Sequence, residues 1–197
     1  MGGESAGVKT GVSVPEVSYD RRTIRLHWAT AVLVTALWGI AQIIDLFPKG
    51  APKISARSVH IIIGVLLGIV LVMRIVWRSR SGRRLPPANR GVAGYIARTV
   101  HVVLYAGLAS VIVLGVLNAW ARGDSLFGLF HIPKLLPADP QLKPTVEYLH
   151  KTFANALVIL AAAHALVAVI HHFILRDEVM RRMLPGSREK ALTTLEE

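Results

Sequence analysis

Four apolar stretches dominate this 197-residue chain, at residues 24–44, 59–77, 96–120 and 146–175. A helix that crosses a bilayer needs about 20 mostly apolar residues, because the hydrocarbon core holds no water to satisfy backbone groups. A soluble helical bundle would need a charged stripe on each helix at the 3.6-residue period, and these stretches have none. The sequence therefore predicts an all-α integral membrane four-helix bundle, forming a single domain over residues 21–182.

The positive charges predict the topology of this bundle. The connection between the second and third stretches contains RSRSGRRLPPANR, with five arginines and no acid. Short loops rich in Lys and Arg stay in the cytoplasm, so both termini are predicted to be cytoplasmic. Residues 1–20 have no apolar core for a cleavable signal and are predicted to form a disordered cytoplasmic tail, and residues 183–197 a cytoplasmic C-terminal tail. The net charge of +11 is then topological, and no nucleic-acid partner is expected.

Several residue types are missing from places where other functions need them. There is no cysteine, so thiolate metal sites and Fe–S ligands are excluded. No Asp or Glu lies in the middle of any apolar stretch, which disfavours proton pumping and cation transport. Because cysteine is absent, any metal must be held by histidine or carboxylate.

Four prolines between Arg122 and Pro144 exclude a continuous helix in the longest connection.

Histidines occur at two depths in the predicted bundle. The topology places His60 and His150 near the outer ends of their helices, and His27 and His164 towards the cytoplasm. His150 and His164 are fourteen residues apart. On one helix, that spacing leaves them within about 40° of the same side and about 21 Å apart along the axis. The chain thus offers two levels with two imidazoles each.

Two stacked b-type haems would require this arrangement, since an electron-transfer haem takes two axial ligands from opposite faces. Gly64 and Gly68 follow His60 at i+4 and i+8, where small residues let a flat macrocycle approach the helix. Arg74, at the inner level, would pair with a haem propionate. Two competing interpretations remain: a histidine-only zinc or copper site, for which two ligands are few, and a membrane adaptor without cofactor.

The remaining histidines have less defined roles. His101 lies at the cytoplasmic start of the third helix and could replace His27 as a ligand or bond a propionate. His171, seven residues after His164, could donate a hydrogen bond to a quinone carbonyl or be an ordinary interfacial residue. His131 and His172 are expected to be solvated.

These segments resemble the bacterial cytochrome b561 family, which is related to the cytochrome b subunits of nickel–iron hydrogenases. The resemblance covers roughly residues 19–185. Its motifs are YDRRTIRLHW in the first helix, RSVHIIIG with Arg74 in the second, YLHKTFANALVILAAAH in the fourth, and the trailing HHFILRDEVMRRMLP.

The resemblance implies a multi-pass protein of the bacterial inner membrane that holds two haem b groups. The metal ligands implied by the family pattern are His27, His60, His150 and His164. Family members pass single electrons between a periplasmic donor and ubiquinone, and some are implicated as superoxide oxidases.

Two functions remain open on the sequence. One is a stand-alone oxidoreductase that takes electrons from superoxide or another small donor and reduces ubiquinone. The other is an electron-carrying membrane subunit that docks a periplasmic dehydrogenase or cytochrome. A small anionic donor would be attracted by a positively charged surface near the outer haem. The basic residues that could form this surface lie at the outer ends of the helices: Lys49, Lys53, Arg57, Arg122, Lys134, Lys143 and Lys151.

Overall fold

Four long helices make up most of the computed structural model, which describes residues 18–83, 85–86, 91–137 and 139–185. They are α1 (Arg21–Ile43), α2 (Ala51–Arg80), α3 (Gly91–Arg122) and α4 (Leu142–Ile170). Each is long and apolar enough to cross a membrane. The predicted all-α membrane fold is confirmed, although α2 and α3 extend beyond their apolar stretches at both ends. Most of the two predicted tails, residues 1–17 and 186–197, lies outside the described residues.

Local sequence explains where these helices begin and end. Pro52 lies in the first turn of α2, where a missing backbone N–H costs nothing. Gly50, which precedes that turn, has a φ of 104°, a conformation that favours glycine. A short 3₁₀ turn, Ile44–Leu46, follows α1. At its far end α4 widens into a π-helical turn, His171–Leu175, which stops at Arg176 in a left-handed conformation.

The bundle is built from two helical hairpins. α1 packs mainly on α2 and α3 mainly on α4, with fewer contacts between the two pairs. The pairs meet in a small core of Leu67, Leu71, Leu108 and Leu157. Leu157 is seven residues from both His150 and His164, so this core lies about 10 Å along the axis from each histidine level. The tightest packing is therefore a layer between the two levels.

The connection between α3 and α4 contains a small antiparallel hairpin. This agrees with the prediction that the connection does not form a continuous helix. Its strands are β1 (Ser125–Leu126) and β2 (Phe130–His131). Ser58 of α2 is fully buried beneath it, and its hydroxyl accepts a hydrogen bond from the Phe127 amide at 2.8 Å. At the tip of the hairpin, Leu129 is 91% exposed.

Asp20 joins the start of α1 to the end of α2. Its carboxylate caps α1 by accepting from the amide of Thr23 at 2.9 Å. It also accepts from the indole N–H of Trp77 at 2.9 Å and from the amide of Arg83 at 3.2 Å. Burial raises the pKa of Asp20, but these donors outweigh it and lower the pKa to about 2. The ionised carboxylate thus holds the α1–α2 hairpin closed at this end.

Asp20→Asn should lower the thermal stability of the purified protein, by about 1 kcal/mol for the cap alone. The folded-state pKa lies below the ordinary value, so the stabilisation is complete above about pH 4 and is lost as the pH falls towards 2. The difference between wild type and variant should therefore shrink over that range in melts followed by tryptophan fluorescence. Asp139→Asn, at an exposed loop carboxylate, is the control. A difference independent of pH would contradict the assignment.

Candidate functional site

The outer histidine level lies between the two helical hairpins. His60 of α2 and His150 of α4 face each other with ring centroids 6.3 Å apart and planes at 83°. Two imidazoles that bind one metal from opposite sides, with metal–nitrogen bonds of about 2 Å, have centroids separated by roughly 6 to 6.5 Å. The observed separation lies within this range.

The orientation of His150 is fixed by α3. Its Nδ1 donates a hydrogen bond to the carbonyl of Val111 at 3.1 Å, which leaves the Nε2 lone pair free to bind a metal. For His60, Nδ1 is buried without a hydrogen-bond partner of good geometry. Both outer imidazoles are half-buried and have a ring nitrogen available as a metal ligand.

Glycines shape the space around these rings. A Cβ added to Gly64 would meet nothing within 4 Å, so the protein leaves room one turn from His60. Gly68 instead lies against α3, where a Cβ would be 3.6 Å from Ile112. On α3, a Cβ at Gly115 would lie 3.2 Å from Cε1 of His150. Of the two glycines predicted beside His60, Gly64 therefore borders open space and Gly68 packs against α3. Gly115 lies against His150 and is a further glycine of the site.

The inner level gathers three histidines and an arginine. His164 of α4 lies beside His101 of α3, with ring centroids 5.2 Å apart. His27 of α1 lies beside Arg74 of α2, whose Nη2 is 3.5 Å from His27 Nδ1. His27 is close enough to interact electrostatically with both His164 and His101. The structure thus brings the predicted inner residues together, with His101 in ring contact with His164.

Tyr105 completes this level from α3. The Arg74 guanidinium lies over its ring, with the central carbon 5.1 Å from the ring centroid. Nδ1 of His101 donates to the carbonyl of Ala97 at 2.6 Å, so its Nε2 is also available. His171 lies apart from this group, where Nδ1 contacts the carboxylate of Asp177.

Sequence reasoning missed Gly115, Tyr105 and the Val111 carbonyl. Gly107 and Gly115 are eight residues apart and therefore lie on a similar face of α3. A Cβ at Gly107 would be 3.3 Å from Leu157 of α4. That spacing of small residues was an available signal for close helix packing. Nothing in the sequence indicates which carbonyl or aromatic ring faces a histidine.

Most basic residues of the predicted positively charged surface are paired with carboxylates. The pairs, with their N–O distances, are Lys53–Asp45 (2.8 Å), Arg57–Asp124 (3.1 Å), Arg122–Asp124 (3.4 Å), Arg122–Glu147 (3.5 Å) and Lys151–Glu147 (2.9 Å). Within the described part of the chain, Lys49, Lys134 and Lys143 show no such partner. Part of the positive charge at this end is therefore compensated by Asp45, Asp124 and Glu147.

A metal held by protein side chains alone does not fit these residues. Among residues 18–83, 85–86, 91–137 and 139–185, no three His, Asp or Glu side chains converge to hold an ion. Paired imidazoles suit a metal that arrives with its other ligands, as haem iron does.

Comparison with known proteins decides the family. Residues 18–186 match the family described as prokaryotic cytochrome b561. The chain belongs to that family. Its relatives include cytochrome b561 homolog 2 of Escherichia coli K12, 31% identical over 165 residues, which cover 82% of this chain and 88% of the relative. Homolog 1 of the same organism is 26% identical over 170 residues, covering 85% and 97%.

A further relative is the probable superoxide oxidase CybB of Yersinia pestis, 26% identical over 174 residues, which cover 86% of this chain and 97% of the relative. As a cytochrome b561 with four membrane-spanning helices, the chain is a multi-pass protein of the bacterial inner membrane. The family implies b-type haem and a role in membrane electron transfer.

Gly115→Ala tests the close approach of α3 to His150. The added methyl would be 3.2 Å from the imidazole, so the ring or the helix must shift by a few tenths of an ångström. We expect a lower haem-to-protein ratio and an altered visible spectrum in the purified protein. Gly39→Ala is the matched control, because its added methyl would meet nothing within 4 Å. Identical spectra and haem contents for wild type and Gly115→Ala would refute this role.

Proposed function

We propose that this chain is a di-haem b-type cytochrome that passes single electrons across the inner membrane, between a periplasmic donor and the ubiquinone pool. The observation that carries the proposal is the outer pair, His60 and His150, with ring centroids 6.3 Å apart on different hairpins. The second level on α4, at His164, supports a second haem.

At the outer level, the chain's own residues bind and orient the cofactor. His60 and His150 are the proposed axial ligands, and the bond from His150 to Val111 favours the tautomer that binds through Nε2. The space beside Gly64 would admit the edge of a macrocycle. Bound haem supplies the one-electron chemistry. Because the two histidines would fill both axial positions, no coordination position would be left for a donor. The donor would therefore give its electron from the protein surface, without binding the metal.

At the inner level, we propose His27 and His164 as ligands, with Arg74 facing a propionate. The position of Arg74 between His27 and the Tyr105 ring supports this role, since it has no carboxylate partner among the described residues. The contact between His101 and His164 keeps His101 as the competing ligand. His171 is proposed to serve the quinone, with Asp177 orienting its ring.

Ligand variants separate these assignments. His164→Ala and His27→Ala should each abolish the inner haem and leave about half of the total haem, because a b-type haem is held mainly by its ligands. His101→Ala should retain both. The measurements are the haem-to-protein ratio and the low-spin electron paramagnetic resonance signals of the oxidised protein. Loss of haem in His101→Ala but not in His27→Ala would transfer the ligand role to His101.

For the donor, we propose superoxide. One relative is named a probable superoxide oxidase, and Lys49, Lys134 and Lys143 leave uncompensated positive charge at the outer end. The reaction would take one electron from superoxide, releasing O₂. Two such electrons and two protons reduce one ubiquinone to ubiquinol.

Superoxide should reduce the purified single chain at a rate that falls as ionic strength rises. Lys49→Gln/Lys143→Gln should lower the second-order rate constant several-fold at low salt, measured by stopped-flow absorbance. Arg78→Gln/Arg98→Gln removes the same charge at the opposite end and should leave the rate unchanged. Failure of superoxide to reduce a fully haem-loaded protein would exclude this donor while leaving the ligand assignments intact.

A docked periplasmic redox protein is the second candidate donor. The hairpin between α3 and α4 favours it, because Leu129 and Phe130 are 91% and 60% exposed at the outer end. Haem reduction that requires a partner protein and is unaffected by superoxide would support this alternative.

A further inference from the structure

A groove lies between α1 and α2 at the end of the bundle where the described chain begins. Its volume is about 480 Å³. It is far from the outer histidine pair, and none of the histidines at either level lines it. The lining residues are Arg22, Arg25, Leu26, Met73, Val76, Trp77, Arg80 and Ser81.

One end of this groove is strongly positive. Arg22, Arg25 and Arg80 are all exposed, and none of the three forms an ion pair with a carboxylate in the described part of the chain. The Arg22 guanidinium lies over the Trp77 ring, 4.7 Å from its centroid, which directs this charge into the groove. Asp20, the acid at the start of α1, is already occupied by the donors Thr23 and Trp77.

The other wall of the groove is apolar. Val76 and Met73 lie about one and two turns deeper along α2 than Arg80, and Leu26 lies about one turn deeper along α1 than Arg22. Met73 and Val76 are 51% and 41% exposed on a helix long and apolar enough to span the membrane, where an exposed apolar side chain is expected to face lipid. The groove thus runs from a cationic rim into an apolar surface.

We propose that this groove binds one anionic phospholipid of the same leaflet. Its phosphate would take charge-assisted hydrogen bonds from the three arginines, whose planar guanidinium groups match phosphate oxygens. An acyl chain would cover Leu26, Met73 and Val76. A neutral quinone gains little from three cations, and a free phosphate leaves the apolar wall uncovered. Basic pockets at the cytoplasmic ends of spanning helices suit such headgroups.

The bound lipid would cross-link α1 to α2, since Arg22 and Arg25 belong to one helix and Arg80 to the other. It would act beside the clamp made by Asp20 and Trp77. The lipid is therefore a structural ligand of the α1–α2 hairpin.

Native mass spectrometry of the full chain, released from detergent with added phosphatidylglycerol or phosphatidylcholine of identical acyl chains, tests the proposal. Wild type should retain one phosphatidylglycerol and little phosphatidylcholine. Arg22→Gln/Arg80→Gln should bind phosphatidylglycerol at least about tenfold more weakly. Arg78→Gln/Arg98→Gln removes the same charge at the same end, outside the groove, and should bind like wild type.

Equal weakening by both double variants would mean that general surface charge attracts the lipid, and it would overturn the site. Equal binding of the two lipids would also overturn it. Displacement of phosphatidylglycerol by millimolar inorganic phosphate would assign the groove to a free anion.

A second measurement needs no arginine variant. Brominated phosphatidylglycerol should quench the fluorescence of wild type more strongly than brominated phosphatidylcholine, and Trp77→Phe should remove the difference. Persistence of that difference in Trp77→Phe would place the lipid elsewhere.

Discussion

The absence of water in the bilayer core is the constraint on which this structure depends. Backbone groups there must be satisfied within each segment, so every crossing is a helix. The helix then fixes the relation between sequence spacing and depth at 1.5 Å per residue. Two histidines fourteen residues apart on α4 therefore cannot serve one site.

The buried apolar core of the bundle lies between the two histidine levels. The helices meet closely at the leucine core between them, where Leu67, Leu71, Leu108 and Leu157 are buried. At the outer level His60 and His150 come from different hairpins, whereas His101 and His164 at the inner level belong to the same hairpin. At the inner end Asp20 and Trp77 fasten α1 to α2, and at the outer end Arg57 and Asp124 fasten α2 to the loop after α3.

The sequence alone could predict the parts of this protein that follow from period and polarity. Apolar length predicted the four helices, the spacing of His150 and His164 predicted two levels, and the topology predicted His60 and His27 at those levels. It could not predict side-chain partners that depend on helix rotation. Gly115 faces His150 because of the way α3 turns against α4, and Gly68 contacts α3 although Gly64, one turn away, does not. Likewise, Arg57 and Arg122 share Asp124 because the chain folds back as a hairpin after α3.

The distance between the two histidine levels also has an electrical consequence. About 21 Å of helix separates His150 from His164, roughly two-thirds of a hydrocarbon core about 30 Å thick. In the proposed orientation, an electron carried between the two proposed haem sites, from the outer level to the inner one, would therefore move through most of the membrane voltage, towards the negative side. A full crossing is worth about 2.3 kcal/mol per 100 mV, so this transfer would be opposed by about 1.5 kcal/mol for every 100 mV of membrane potential. The equilibrium between the two levels would thus respond to the energised state of the cell.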